Sequence, residues 1–159
     1  MLKTIRNKKV IEVMDKIAQK ANQSRSIRGD DFESDIEDMF SEMLANNKIK
    51  SFKRKPKIFG GEFNPDFIVE NINGEIISID STTTARTDRL RAKQWDAYGT
   101  KMYFAEKNKK AIAVVVVQDF DVSQKEKDNF RLCKARCRLP HSALDEVVSK
   151  EELMALVGR

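Results

Sequence analysis

Residues 65–82 read PDFIVENINGEIISIDST, and their pattern decides how the chain folds. Phe67, Ile68 and Val69 form a short apolar, β-prone run, Asn73-Gly74 is a strong hairpin-turn signal, and Ile76, Ile77 and Ile79 carry the return strand. Asp66 opens the first strand and Asp80 closes the second, so a hairpin brings both carboxylates to one end. Two clustered carboxylates raise the cost of ionising both unless a cation lies between them. Hard oxygen donors of this kind suit Mg²⁺ or Mn²⁺. The pair therefore points to metal-assisted chemistry on a phosphate.

Upstream of the hairpin, Val10, Met14, Ile17, Ala18 and Ala21 follow helical spacing and predict a first helix over about residues 5–22. The string NQSRSIRG at 22–29 reads as a break. A second helix follows over about 31–45, with Phe32, Ile36, Phe40 and Met43 on its buried face. Lys48–Arg54 reads as an edge strand whose lysines discourage pairing with other chains. Downstream, a helix is expected over about Thr87–Tyr98. AIAVVVV at 111–117 is unbroken and β-branched, the signature of a central strand covered on both faces. Ser123–Arg138 reads as helical, and Ser149-x-x-Glu152 is a capping box opening a last helix through Leu156. The expected order α-α-β-β-β-α-β-α-α makes one α/β domain over residues 1–159, a sandwich around a small mixed sheet.

Composition narrows the partners. Of the 159 residues, 40% are hydrophobic and 35% charged, as in a water-soluble domain. The longest apolar run, Ala111–Val117, falls far short of the roughly 18 residues of a membrane span. The N-terminus lacks a signal-peptide core, and two cysteines without a secretion signal suit a reducing, cytoplasmic setting. A net charge of +5 favours a polyanion. Lysines and arginines gather in Lys48–Lys57, Arg86–Lys93 and Lys134–Arg138. Lys53, Arg54, Lys55, Lys57, Arg86, Arg89, Arg91 and Lys93, which flank the carboxylate pair, are the candidate phosphate-backbone contacts.

Other constellations read as structural. Cys133, Cys137 and His141 have ligand-like spacing, but Pro140 interrupts the helix before His141. No second ligand group accompanies them, and buried thiols are the better reading. A single histidine leaves a Ser-His-Asp triad without support. Trp95, the only tryptophan, reads as core, with base stacking as the lesser alternative. Glu33 fits two roles: a site carboxylate, or the second half of a capping box opened by Asp30.

The hairpin also resembles the PD-(D/E)XK nucleases, the restriction-endonuclease-like superfamily. Pro65-Asp66 matches the PD, and Asp80-Ser81-Thr82, 14 residues on, stands where the second acid, a spacer and a lysine fall. Gly29 to Glu33 resembles the first-helix glutamate of resolvase-like members, and Gln94-Trp95-Asp96-Ala97-Tyr98 the Gln-x-x-x-Tyr helix of the RecB-like branch. The resemblance implies a metal-dependent DNA endonuclease using Mg²⁺, with Mn²⁺ as substitute. Asp66, Asp80 and the Ser81 carbonyl would be metal ligands, with Glu33, Thr82 and Gln94 as further catalytic groups. A symmetric homodimer would cut both strands. Thr82 departs from the family's lysine; some members lack that lysine or draw its equivalent from a neighbouring helix, for which Arg89, Arg91, Lys93 and Gln94 are the candidates. The alternative is a catalytically idle DNA-binding or assembly subunit on the same fold.

Overall fold

The computed structural model describes residues 2–85, 87–119 and 143–159. Helix α1 (Leu2–Ala45) is followed by strand β1 (Ile49–Arg54), a 3₁₀ turn (Phe59–Gly61) and the hairpin β2 (Phe67–Asn71) and β3 (Ile76–Thr82). Helix α2 (Thr87–Glu106) crosses to strand β4 (Ala111–Val117); strand β5 (Glu146–Val148) and helix α3 (Lys150–Val157) complete the described chain. Among the described residues, five strands lie in sequence order, with β1-β2-β3 antiparallel and β3-β4-β5 parallel. The molecule is thus α/β around a mixed open sheet.

The hairpin forms where the sequence places it. Gly74 adopts φ +80°, a left-handed conformation that costs glycine little, and its amide donates to the Asn71 carbonyl. The buried Asn71 side chain finishes the loop, its Oδ1 accepting the amides of Asn73 and Glu75 at 3.0 and 2.9 Å. Lys-rich β1 is an edge strand, as expected, and carries a register irregularity between Ile49 and Ser51. Ser149 Oγ accepts the Glu152 amide at 3.1 Å, closing the N-terminus of α3.

Side-chain alternation divides the core between the two faces of the sheet. Phe67, Val69, Ile77, Ile79, Val114 and Val116 meet Phe32, Ile36, Phe40 and Met43 of α1 and Leu153 and Val157 of α3. On the other face, Ala113, Val115 and Val117 pack with Leu90 and Ala97 of α2 and with Leu144 and Val147. Strand β4 feeds both clusters, which is why its sequence is apolar at every position.

Two expectations are corrected. Residues 22–29 do not end a helix: α1 runs unbroken through them. Without proline, their asparagine, serines and glycine each cost at most about 1 kcal/mol relative to alanine, too little to force a terminus. In the first half of α1, Val13, Met14 and Ile17, two of them in the expected stripe, are exposed. Strand β5 was not expected, since three residues carry no readable period. The helix expected over 123–138 lies outside the described residues. Among the described residues, no helix is long and apolar enough to cross a membrane.

Phe40 has no exposed surface and stacks edge-on against Phe67, centroids 5.4 Å apart, tying α1 to the hairpin. Phe40→Ala is expected to lower the unfolding free energy by about 3–5 kcal/mol in denaturant titration. A loss below about 1 kcal/mol would mean that α1 is not anchored through this ring.

Candidate active site

The hairpin register fixes where the two acids meet. Phe67 pairs with Ile79, so one further step sets Asp66 opposite Asp80 at the open end. Each is then held by the other's strand. The Asp66 amide donates to Asp80 Oδ1 at 3.2 Å, while Asp66 Oδ2 accepts the Ser81 amide at 2.7 Å and the Ser81 hydroxyl at 2.9 Å. Asp66 Oδ1 and Asp80 Oδ2 take none of these bonds.

Helix α2 supplies the counter-charge. Leu90 and Ala97 seat it on the β4 face, and Lys93 lies between them at helical spacing, turned toward the strand ends. Its Nζ stands 3.6 Å from Asp80 Oδ1 and 3.9 Å from Asp66 Oδ2. Burial works against the Lys93 charge, but Asp80, Asp66 and Asp96 outweigh it and hold the ammonium above its usual pKa. Asp80 is only 2% exposed. Burial is the main force lifting its carboxyl, aided by Asp66 and Asp96 and opposed by Lys93 and the Asp66 amide; the result is a pKa of about 7.

A cavity of about 280 Å³ opens beside this cluster, lined by Glu33 of α1, Ser81, Thr82 and Thr83 at the end of β3, and Arg89 and Lys93 of α2. The Thr82 hydroxyl donates to the Thr84 carbonyl at 2.9 Å, and Arg89 Nη1 donates to the Thr83 hydroxyl at 3.1 Å. Glu33 accepts from Arg54 at 3.2 Å and faces Lys55 Nζ at 3.4 Å; Glu37 accepts a second bond from Arg54. Glu33 lies well inside α1, which removes its capping-box reading.

The structure thus joins Asp66, Asp80, Ser81 and Lys93, and sets Thr82, Arg89 and Glu33 around the adjoining cavity. Among the described residues, no set of three Asp, Glu, His or Cys side chains converges. Other expected site residues fall elsewhere. Gln94 is buried, and its Oε1 accepts the Leu144 amide at 3.0 Å, so it secures the chain ahead of β5 rather than facing the cavity. Arg54 is committed to Glu37 and Glu33, whose carboxylates raise its pKa, while Lys53, Lys55 and Lys57 remain exposed. Trp95, expected in the core, is 58% exposed. Arg86, Cys133, Cys137 and His141 lie outside the described residues. Asp96 was missed. It feels the Asp80 charge and accepts the Asn64 amide at 2.9 Å, and its place three residues after Lys93 was the available signal.

No family model, curated protein or solved structure matches the chain.

The raised pKa of Asp80 has a consequence for stability. The folded state keeps the proton up to about pH 7, whereas the ordinary carboxyl value is 3.8. Its stabilising contribution is therefore complete below pH about 4 and is lost as pH climbs to about 7, where the loss levels off. Asp80→Asn is expected to remove this slope. Its stability advantage over the wild type should grow by up to ~1.4 kcal/mol per pH unit between pH 5 and 7. Denaturation curves that stay parallel across that range would contradict the buried, proton-holding Asp80.

Proposed function

We propose that this chain is a divalent-metal-dependent DNA endonuclease of the PD-(D/E)XK type, hydrolysing phosphodiester bonds as a homodimer. The observation that carries this reading is the meeting of Asp66, Asp80 and Lys93 at one end of the hairpin. The sequence offers two acids and a threonine where the third group should be a lysine. Lys93 brings that charge to the same carboxylates from α2.

The donor set fits Mg²⁺ or Mn²⁺. Two hard carboxylates each keep an oxygen outside the hydrogen bonds that fix them, and an Asp80 that resists ionisation is the condition a divalent cation relieves. Asp66 and Asp80 would hold the ion, with the Ser81 carbonyl as a further oxygen donor. When bound, such an ion polarises a phosphate and lowers the pKa of water.

The remaining chemistry belongs to this chain's own residues. Lys93, kept protonated by the carboxylates around it, places a positive charge at the cavity wall where negative charge grows on the phosphate. Arg89, in the same wall, is positioned to take a non-bridging phosphate oxygen. Hydrogen bonds from the Ser81 amide and hydroxyl hold the Asp66 carboxylate in place, so the site needs little rearrangement before it acts. Lys53, Lys55 and Lys57 extend the positive surface along the chain leading to β2, and the Lys55 amide is anchored to the Asp66 carbonyl at 2.7 Å.

Lys93→Ala is expected to slow Mg²⁺-dependent cleavage of DNA by about 100-fold, as for other preorganised electrostatic groups. Adding Thr82→Lys to that variant should restore part of the rate, because the threonine lines the same cavity. Asp80→Asn should abolish cleavage while DNA binding in a gel shift persists. A fully active Lys93→Ala enzyme would remove Lys93 from the chemistry. A wild type inert with Mg²⁺ and Mn²⁺ on duplex, single-stranded and branched DNA would leave the idle-subunit reading.

A further inference from the structure

Five aromatic rings run in unbroken contact between α2 and the segment that leads to β2. Trp95 meets Phe63 with ring centroids 5.1 Å apart, Phe63 meets Phe59 at 5.9 Å, Phe59 meets Tyr103 at 5.3 Å, and Tyr103 meets Phe104 at 5.2 Å. Phe63 is buried, and it fits only because residue 99 is glycine: a Cβ there would lie 2.1 Å from the phenyl ring. The ring thus fills the groove that Gly99 leaves on α2 and backs the Trp95 indole. Trp95 itself is 58% exposed, with Tyr98 and Met102 also open on the same helix. An indole backed by Phe63 and exposed with Tyr98 and Met102 forms an apolar patch of the kind that marks a binding surface.

Its position says what binds. Ala92 lines the cavity, and Trp95 follows it at i+3, so Trp95 stands on the same side of α2, ~4.5 Å further along the helix axis. The Asn64 amide bonded to Asp96 locks the Phe63 loop onto α2. Between residues 53 and 64, the exposed Lys53, Lys55 and Lys57 outnumber the single exposed carboxylate, Glu62. A segment that carries exposed lysines and leads into these rings matches a strand of nucleotides, whose bases stack while its phosphates meet the charges. Bases inside a duplex are already stacked and cannot reach an indole.

We infer that Trp95, backed by Phe63, is a stacking platform for an unpaired nucleobase next to the bond that is cut. The preferred substrate is then DNA with single-stranded character, such as a flap or branch, rather than uniform duplex. This substrate class rests on the nuclease reading, but the binding it requires is measurable without cleavage.

Trp95 is the chain's only tryptophan, so its fluorescence reports the platform directly. The full chain in EDTA is titrated with oligothymidylate of about 20 nucleotides, long enough for a stacking site, and separately with a blunt duplex. Single strands should quench the emission saturably, and the duplex should not. Trp95→Ala, checked for an unchanged melting curve, should weaken single-strand binding by anisotropy about 5- to 150-fold, the span for losing one stacked base, and leave duplex binding within about twofold. Trp95→Phe should retain most of the affinity. Absence of quenching by single strands, or an equal loss on both DNAs, overturns the platform. A blue shift that grows with protein concentration, with no DNA present, also overturns it, by assigning the surface to a second copy of the chain. Quenching by a chain that cuts nothing in Mg²⁺ would uphold the platform and sink the nuclease reading. Cleavage of duplex without quenching would do the reverse.

Discussion

The site depends on the pairing register of β2 with β3. Because side chains alternate along a strand, a one-residue slip would turn Asp80 to the face that packs on α1 and put Ile79 in its place beside α2. The Asn71 loop and the apolar residues on either side prevent that slip: Phe67, Val69, Ile77 and Ile79 all need the same face. The two carboxylates are thus brought together by forces unrelated to their charge. Core packing supplies the free energy, and the acids bear the cost of proximity.

That cost is met locally. Asp80 is nearly without solvent, and a bare carboxylate there would be expensive. The Asp66 amide, the Lys93 ammonium and a retained proton share the compensation. The parallel β3-α2-β4 crossover sets α2 over the strand ends, so Lys93 arrives from a different element than the one that carries the acids. The positive group beside the acids is thus delivered by a helix, which Leu90 and Ala97 seat on the sheet.

Much of this could be read from the residues, and the exceptions have physical causes. The hairpin, the central strand, the basic edge and the last capped helix follow from local signals: contiguous β-branched apolar runs, clustered lysines, Asn-Gly and Ser-x-x-Glu. The continuity of α1 did not, because weak helix formers lower stability without dictating an end. Lys93 stood among several candidate cations on α2, and only the helix's seating on the sheet selects it. The surroundings of Gln94 and Trp95 were not legible for a related reason. Their environments are set by contacts with Leu144 and Phe63, distant in sequence, and a polar or aromatic residue on a helix gives no local sign of which neighbour it will meet.

The most direct test of the carboxylate cluster as a metal centre is calorimetric titration of the DNA-free protein with Mn²⁺, beside Asp66→Asn and Asp80→Asn. Saturable binding by the wild type is expected, weakened at least about tenfold or lost in each variant, with a matching metal-dependent rise in the wild-type melting temperature alone. Binding of equal strength in all three proteins, or none in the wild type at millimolar Mn²⁺, would contradict the assignment of these two carboxylates to metal-dependent chemistry.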